Sequence, residues 1–328
     1  MSKPKVGFYW CASCGGCEEA VVDLAEDILK VVELVDIVFW PCAMDFKRDD
    51  LEAMDDNEMA VCFVNGAIRS SEQREMALLC RQKAGLIVAF GSCAHTGGIP
   101  GLANLYPRKD IVQTVYGDGQ FSTVNPEGTL PQPKTAHPEG TTELPLLEGS
   151  VKTLDQVVPV DYYLPGCSPP TKLIVDAVMA IVEGDLPPRG SVLAPDIALC
   201  HDCPRVDSKP EESVVTEIKR PQEILIDPEK CFLAQGLICM GPATRCGCDH
   251  ACINGNMPCS GCLGPTSRTT DHGAAAMSAT ASLLESNEAS EIAAQMESIP
   301  DPVGTFYRYS VPSSRLFCSV GVGDNGDE

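Results

Sequence analysis

Eighteen cysteines in 328 residues, unevenly spread, restrict this chain more than any other feature. Eight lie between Cys11 and Cys167, none between positions 94 and 166, and nine crowd into the 63 residues from Cys200 to Cys262. The amino terminus runs from Met1 almost at once into the strand-like Lys5–Trp10, with no secretory or twin-arginine leader. No stretch approaches the roughly 18 apolar residues of a membrane helix. A cytoplasmic location is therefore expected, where disulfides rarely persist and so many thiols point to metal. Thiolate selects zinc, copper(I) or iron-sulfur clusters, and a set this large favours several centres. Structural zinc usually pairs short cysteine spacings around a compact loop. Here the pairs stand far apart, and zinc stays as the alternative.

Composition narrows the remaining classes. Hydrophobic residues at 44% and charged residues at 21% are a globular mix, and the length suggests two domains. Lys and Arg number 24 against 46 Asp and Glu, a formal charge of −22 and the wrong sign for a phosphate-neutralising surface. Nucleic acid is not an expected partner.

The first half alternates strands with helices, the pattern of an open parallel sheet covered on both faces. Strands are predicted over residues 5–10, 35–40, 59–64, 85–90 and 160–164, and helices over 18–32, 71–83 and 171–182. Cys14 and Cys17 follow the first strand, Cys93 the fourth and Cys167 the fifth. Carboxyl ends of parallel strands share one edge, so these four thiols can converge although they lie far apart in sequence. Gly15, Gly16, Gly91 and Gly166 beside them allow tight turns and close approach of backbone to a bulky ligand. Residues 94–157 read as a long irregular excursion. Beyond Pro187-Pro188-Arg189-Gly190 the chain shows little periodicity and dense cysteine, so its ligands are expected to order it in place of a normal core. Residues 274–295 read as two short exterior helices, and Gly323–Glu328 as a solvated acidic tail. His95, His201, His250 and His272 are weaker candidates; His201 stands out between Cys200 and Cys203.

Five motifs together resemble the nickel-iron hydrogenase small subunit. They are Cys14-Gly-Gly-Cys17-Glu18-Glu19, the segment Gly91-Ser-Cys93 to Gly101, Leu164-Pro-Gly-Cys167-Ser-Pro-Pro170, the segment Cys231 to Arg245 around Cys239, and Met257-Pro-Cys259-Ser-Gly-Cys262-Leu-Gly-Pro265. The resemblance spans about residues 5–265 and is greatest to the cytoplasmic methyl-viologen-reducing branch, with the deazaflavin-coenzyme-reducing branch as runner-up. It implies an α/β fold: a flavodoxin-like doubly wound parallel sheet over 1–187, then a smaller irregular iron-sulfur domain with some helix over 188–328. It further implies three 4Fe-4S clusters. The proximal one would be held by Cys14, Cys17, Cys93 and Cys167, and the distal one by Cys200, Cys203, Cys231 and Cys239. The medial one would take Cys248, Cys252, Cys259 and Cys262, with Cys246 as a substitute for Cys248 or Cys252. His201 competes with Cys200, and Ser168 interrupts a more usual Cys-Pro-Pro.

By the same resemblance this chain would be an oxidoreductase subunit. It would conduct electrons from hydrogen oxidised on a separate nickel-iron large subunit to a small 2Fe-2S adaptor subunit and an electron-bifurcating heterodisulfide reductase. Glu18 is a candidate proton relay or, alternatively, a carboxylate capping its helix. Cys62 and Cys80 are expected in the core, Cys11 and Cys42 around the proximal cluster, and Cys318 has no assignment. A zinc-stabilised scaffold without redox function is the alternative of a different class. A hydrogenase-related quinone-reducing subunit is a third, disfavoured by the second cysteine-rich region.

Overall fold

A computed structural model of the chain describes residues 3–117, 124–212, 215–286, 288–299 and 301–316. Its centre is a five-stranded parallel sheet of β1 (Lys5–Trp10), β2 (Asp36–Phe39), β3 (Met59–Asn65), β4 (Ala84–Phe90) and β5 (Tyr162–Leu164). They lie in the order β2-β1-β3-β4-β5, the doubly wound flavodoxin-like order with its switch point between β1 and β3. Alternate residues of each strand face opposite sides. Val61 and Phe63 join Phe8, Val88 and Phe90 under α1 (Gly16–Val22), α2 (Asp27–Leu34) and α5 (Thr171–Glu183). Cys62 and Val64 join Ile87 and Ala89 under α3 (Ser71–Lys83). Phe63 stacks on Phe8 at 5.2 Å and meets Phe90 edge-on at 5.8 Å. Burying each such ring contributes about 1.5–3 kcal/mol.

The register aligns the functional edge. Trp10 pairs with Asn65, Asn65 with Phe90, and Phe90 with Leu164, so the segments after β1, β3, β4 and β5 emerge side by side.

Three expectations need correction. The helix predicted over 18–32 is two, because the chain turns at Asp23–Glu26, where Ala25 adopts φ 51°. The excursion at 94–157 is partly ordered: it holds a helix at Arg108–Tyr116, a hairpin of Lys134–His137 with Gly140–Glu143, and a strand Leu147–Lys152 paired antiparallel with Ile68–Ser70. The cysteine-rich part does build an apolar core, in which Phe232, Leu233, Leu237, Met240, Phe306 and Val311 are buried. The low periodicity that hid this core reflects its short elements, chiefly single 3-10 turns.

The predicted helix pair appears at His272–Ala281 and Ala289–Glu297; the first buries His272, Ala276 and Thr280, and only the second is fully exterior. The acidic tail and Cys318 lie outside the described residues. No helix among the described residues is long and apolar enough to cross a membrane.

Candidate metal centres

At the first edge β1 runs into Gly15, whose φ of 87° starts α1. This turn leaves Cys14 exposed and Cys17 buried. Gly91, also at φ 87°, turns β4 into the short helix α4 (Ser92–Thr96) that carries Cys93. A Cβ on Gly91 would sit 2.4 Å from Cys17 Sγ, and one on Gly98 2.4 Å from Cys93 Sγ, so both glycines are required by the thiols beside them. Cys167 follows β5 and Gly166, whose carbonyl accepts from Ser92 N–H at 2.8 Å. Cys93, Cys167 and Cys14 all lie near enough to Cys17 to act on its thiol. Burial, then Cys93, Cys167 and Cys14, push the Cys17 thiol up; burial, then Cys167 and Cys14, push Cys93 up to about 12.

A second group gathers Cys200, Cys203, Cys231 and Cys239. Burial pushes Cys200 up to about 12, with smaller contributions that include the thiols of Cys239, Cys203 and Cys231. Burial also pushes Cys239 up to about 11, partly offset by the N–H groups of Gly241 and Cys259. A Cβ on Gly241 would stand 3.2 Å from Cys200 Sγ and 3.6 Å from Cys239 Sγ, so the backbone there passes close to both sulfurs. His201 is exposed, whereas the neighbouring Cys200 is partly buried. Buried Arg205 braces it: the guanidinium lies 4.2 Å over the Phe232 ring and donates to the carbonyls of Asp227, Lys230 and Ile253.

Between these two lies the third. Cys248, Cys252, Cys259 and Cys262 line one small cavity of about 20 Å³, walled by Leu199, Ile253 and Leu263. Cys246 does not line it; its neighbours are Asp202 and Cys248. Burial raises the Cys259 thiol, followed by Cys239 of the second group; burial raises Cys262 to about 11, against the donating Cys167 N–H of the first. Thiols raised this far are neutral near pH 7, so binding a metal would release their protons.

All twelve donors are thiols, a soft set suited to iron-sulfur clusters. Among the described residues no three His, Cys, Asp or Glu side chains close on a point as one bound ion requires.

Glu18 is 5% exposed, facing the sheet rather than the helix end. Trp40 Nε1 donates to one of its oxygens and Asn65 Nδ2 to the other, and no side chain caps α1. Burial raises its pKa and these two bonds oppose the rise. Asn65 was not anticipated, although a polar residue ending the otherwise apolar Met59–Val64 run is a readable signal. Arg205 and Ser92 were also missed, each a short polar side chain or lone cation whose role depends on tertiary contacts.

The leftover cysteines divide. Cys62 and Cys80 are fully buried and hydrogen-bonded to each other, as expected of core residues. Cys11 joins them on the α3 face rather than packing around the first group, because its position on the pleat turns it toward Cys80. Cys42 is exposed, with Glu18 nearby. His95 is half-buried against the Tyr163 ring at 4.7 Å, His272 bonds Thr244 Oγ1 at 3.1 Å, and His250 approaches the Leu199 carbonyl and lines the same cavity as the third thiol group.

Residues 14–181 match the family described as "NADH ubiquinone oxidoreductase, 20 Kd subunit". The chain is 38% identical to the iron-sulfur subunit of the F420-non-reducing hydrogenase of Archaeoglobus profundus, over 95% of this chain and 97% of that protein. This chain belongs to the family of F420-non-reducing hydrogenase small subunits. The matching F420-non-reducing hydrogenase subunit of Methanothermobacter thermautotrophicus is 36% identical over 96% of each chain. As a family member the chain is a small, iron-sulfur, electron-transferring subunit of a hydrogenase, an oxidoreductase. Its fold is also that of a chain in the solved [NiFeSe] hydrogenase of Desulfovibrio vulgaris Hildenborough, with a TM-score of 0.52 at 17% identity, covering 81% of this chain and 94% of that one.

Proposed function

We propose that this subunit conducts electrons from hydrogen oxidation on a nickel-iron large subunit, in the cytoplasm, through three 4Fe-4S clusters. The acceptor in this reading is a 2Fe-2S adaptor subunit serving heterodisulfide reductase. One observation carries it: the three four-thiol groups are joined in series, where Cys262 meets Cys167 and where Cys259 meets Cys239. Cys14, Cys17, Cys93 and Cys167 would hold the proximal cluster, Cys248, Cys252, Cys259 and Cys262 the medial, and Cys200, Cys203, Cys231 and Cys239 the distal. When bound, such clusters supply one-electron donor and acceptor sites whose potentials follow burial and hydrogen bonds to sulfur. The division of labour is one unit over 1–187 and a second over 188–328.

This chain's own residues fix the ends of the line. Cys14 and Cys167 are exposed and mark the face toward the large subunit, which cleaves hydrogen. Glu18, beside Cys17 on that edge, is proposed to hold and pass a proton at its carboxylate, with Trp40 and Asn65 fixing both oxygens. The names of the relatives support the viologen branch over the deazaflavin branch, since both read F420-non-reducing.

The test is optical. The complex purified anaerobically should lose its broad thiolate-to-iron absorption on exposure to hydrogen and regain it with oxidised viologen. Absorption that hydrogen leaves unchanged would overturn the reading.

A further inference from the structure

Cys259 and Cys262 belong to one Cys-x-x-Cys loop, yet their carbonyls are tied to opposite neighbours. The Cys259 carbonyl accepts from the N–H of Met240, the residue after Cys239, at 2.9 Å. The Cys262 carbonyl accepts from the hydroxyl of Ser92, the residue before Cys93. Ser92 is 2% exposed, so this bond is shielded from water. Its backbone N–H also donates to Gly166, the residue before Cys167, at 2.8 Å, and its carbonyl accepts from Thr96 Oγ1 at 3.1 Å. One small residue therefore touches the turns of two proximal thiols and the backbone of a medial one. Beside it the Cys167 N–H donates to Cys262 Sγ.

We propose that Ser92 is a positioning residue for electron transfer, its hydroxyl clamping Cys262 against the Cys93 and Cys167 turns so that an electron crosses between the proximal and medial groups at the Cys167–Cys262 contact. The inference rests on the electron-conducting reading above. The step moves one electron from the reduced first group to the oxidised second; no bond forms or breaks and no proton moves. Because the clamp acts through a hydroxyl that touches no sulfur, it sets spacing rather than ligation.

The test uses Ser92→Ala and Ser92→Thr in the whole hydrogenase complex, read by iron and sulfide content, hydrogen-deuterium exchange, and paramagnetic resonance of the reduced complex. Ser92→Ala should keep its iron and its exchange rate, the latter needing no wire. Its magnetic splitting between the first two clusters should weaken, and viologen reduction should slow several-fold. Ser92→Thr, which keeps the hydroxyl, should restore both. Unchanged splitting and rate in an iron-replete Ser92→Ala complex would overturn the proposal, as would loss of iron, which would mean a purely structural role. Failure of the parent reading would look different: the unaltered complex would itself lack sulfide or ignore hydrogen.

Discussion

Glu18 shows how much a single buried carboxylate constrains its surroundings. Two donors, Trp40 Nε1 and Asn65 Nδ2, are satisfied only by two acceptor oxygens. Glu18→Gln offers one acceptor and one donor, so an N–H is left facing an amide, and the variant should lose about 1–3 kcal/mol of stability in denaturant titration. If the carboxylate also carries protons, the same variant should slow hydrogen oxidation and raise the solvent isotope effect, and Glu18→Asp should recover part of the rate. His272 makes a pH prediction. Burial first of all pushes its pKa down from 6.5 to about 4, opposed by Asp271. The unfolded chain therefore binds a proton that the folded chain refuses, so this contribution to stability is complete above about pH 6.5 and falls as pH drops toward 4. Thermal melts between pH 7 and 5 should show a shallower decline for His272→Gln than for the parent; equal slopes would contradict the assignment.

Turns and straps position the thiols at the next scale. Gly91 has a φ of 87°, and a Cβ there would stand 2.4 Å from Cys17 Sγ, so Gly91→Ala is strained and displaces that thiol. That variant should retain the distal and medial iron but lose the proximal share, about 4 of about 12 iron atoms, by elemental analysis. Arg245 is a strap of a different kind: its guanidinium donates to the carbonyls of Ala194, Pro195 and Pro265 and pairs with Asp196 at 3.1 Å. Arg245→Met leaves those carbonyls unpaired at about 1–3 kcal/mol each where buried, and should lower the melting temperature by several degrees. Parallel strands were legible because Met59–Asn65 and Ala84–Phe90 are apolar runs too short for helices, whereas the capping box of Ser70 and Gln73 that opens α3 is a signal left unread. The break at Ala25 was not legible, since Asp23–Glu26 contains neither Gly nor Pro.

Across the whole molecule, two kinds of stability coexist. The sheet buries both faces under helices, whereas the cysteine-rich part packs short turns and thiol groups on a separate apolar core, and its longest helix among the described residues is His272–Ala281. Anaerobic iron chelation followed by limited proteolysis should therefore cut beyond residue 187 first and leave the sheet intact. Convergence of Cys14, Cys17, Cys93 and Cys167 was legible because parallel strands place their carboxyl ends on one edge. How the remaining eight group was not readable from periodicity, because single turns carry no period; that expectation came from motif resemblance, and that Cys252 and not Cys246 lines the cavity is visible only in the fold. Ser92 was invisible at every sequence level, since its partner carbonyl lies 170 residues away. The central claim, three four-thiol groups each holding an iron-sulfur cluster, is tested most directly by iron, sulfide, zinc and nickel analysis of the anaerobically purified complex. The expected result is about 12 iron and about 12 sulfide per copy of this chain beyond what its partners bind, with nickel in a co-purifying large subunit. Zinc without sulfide would contradict it.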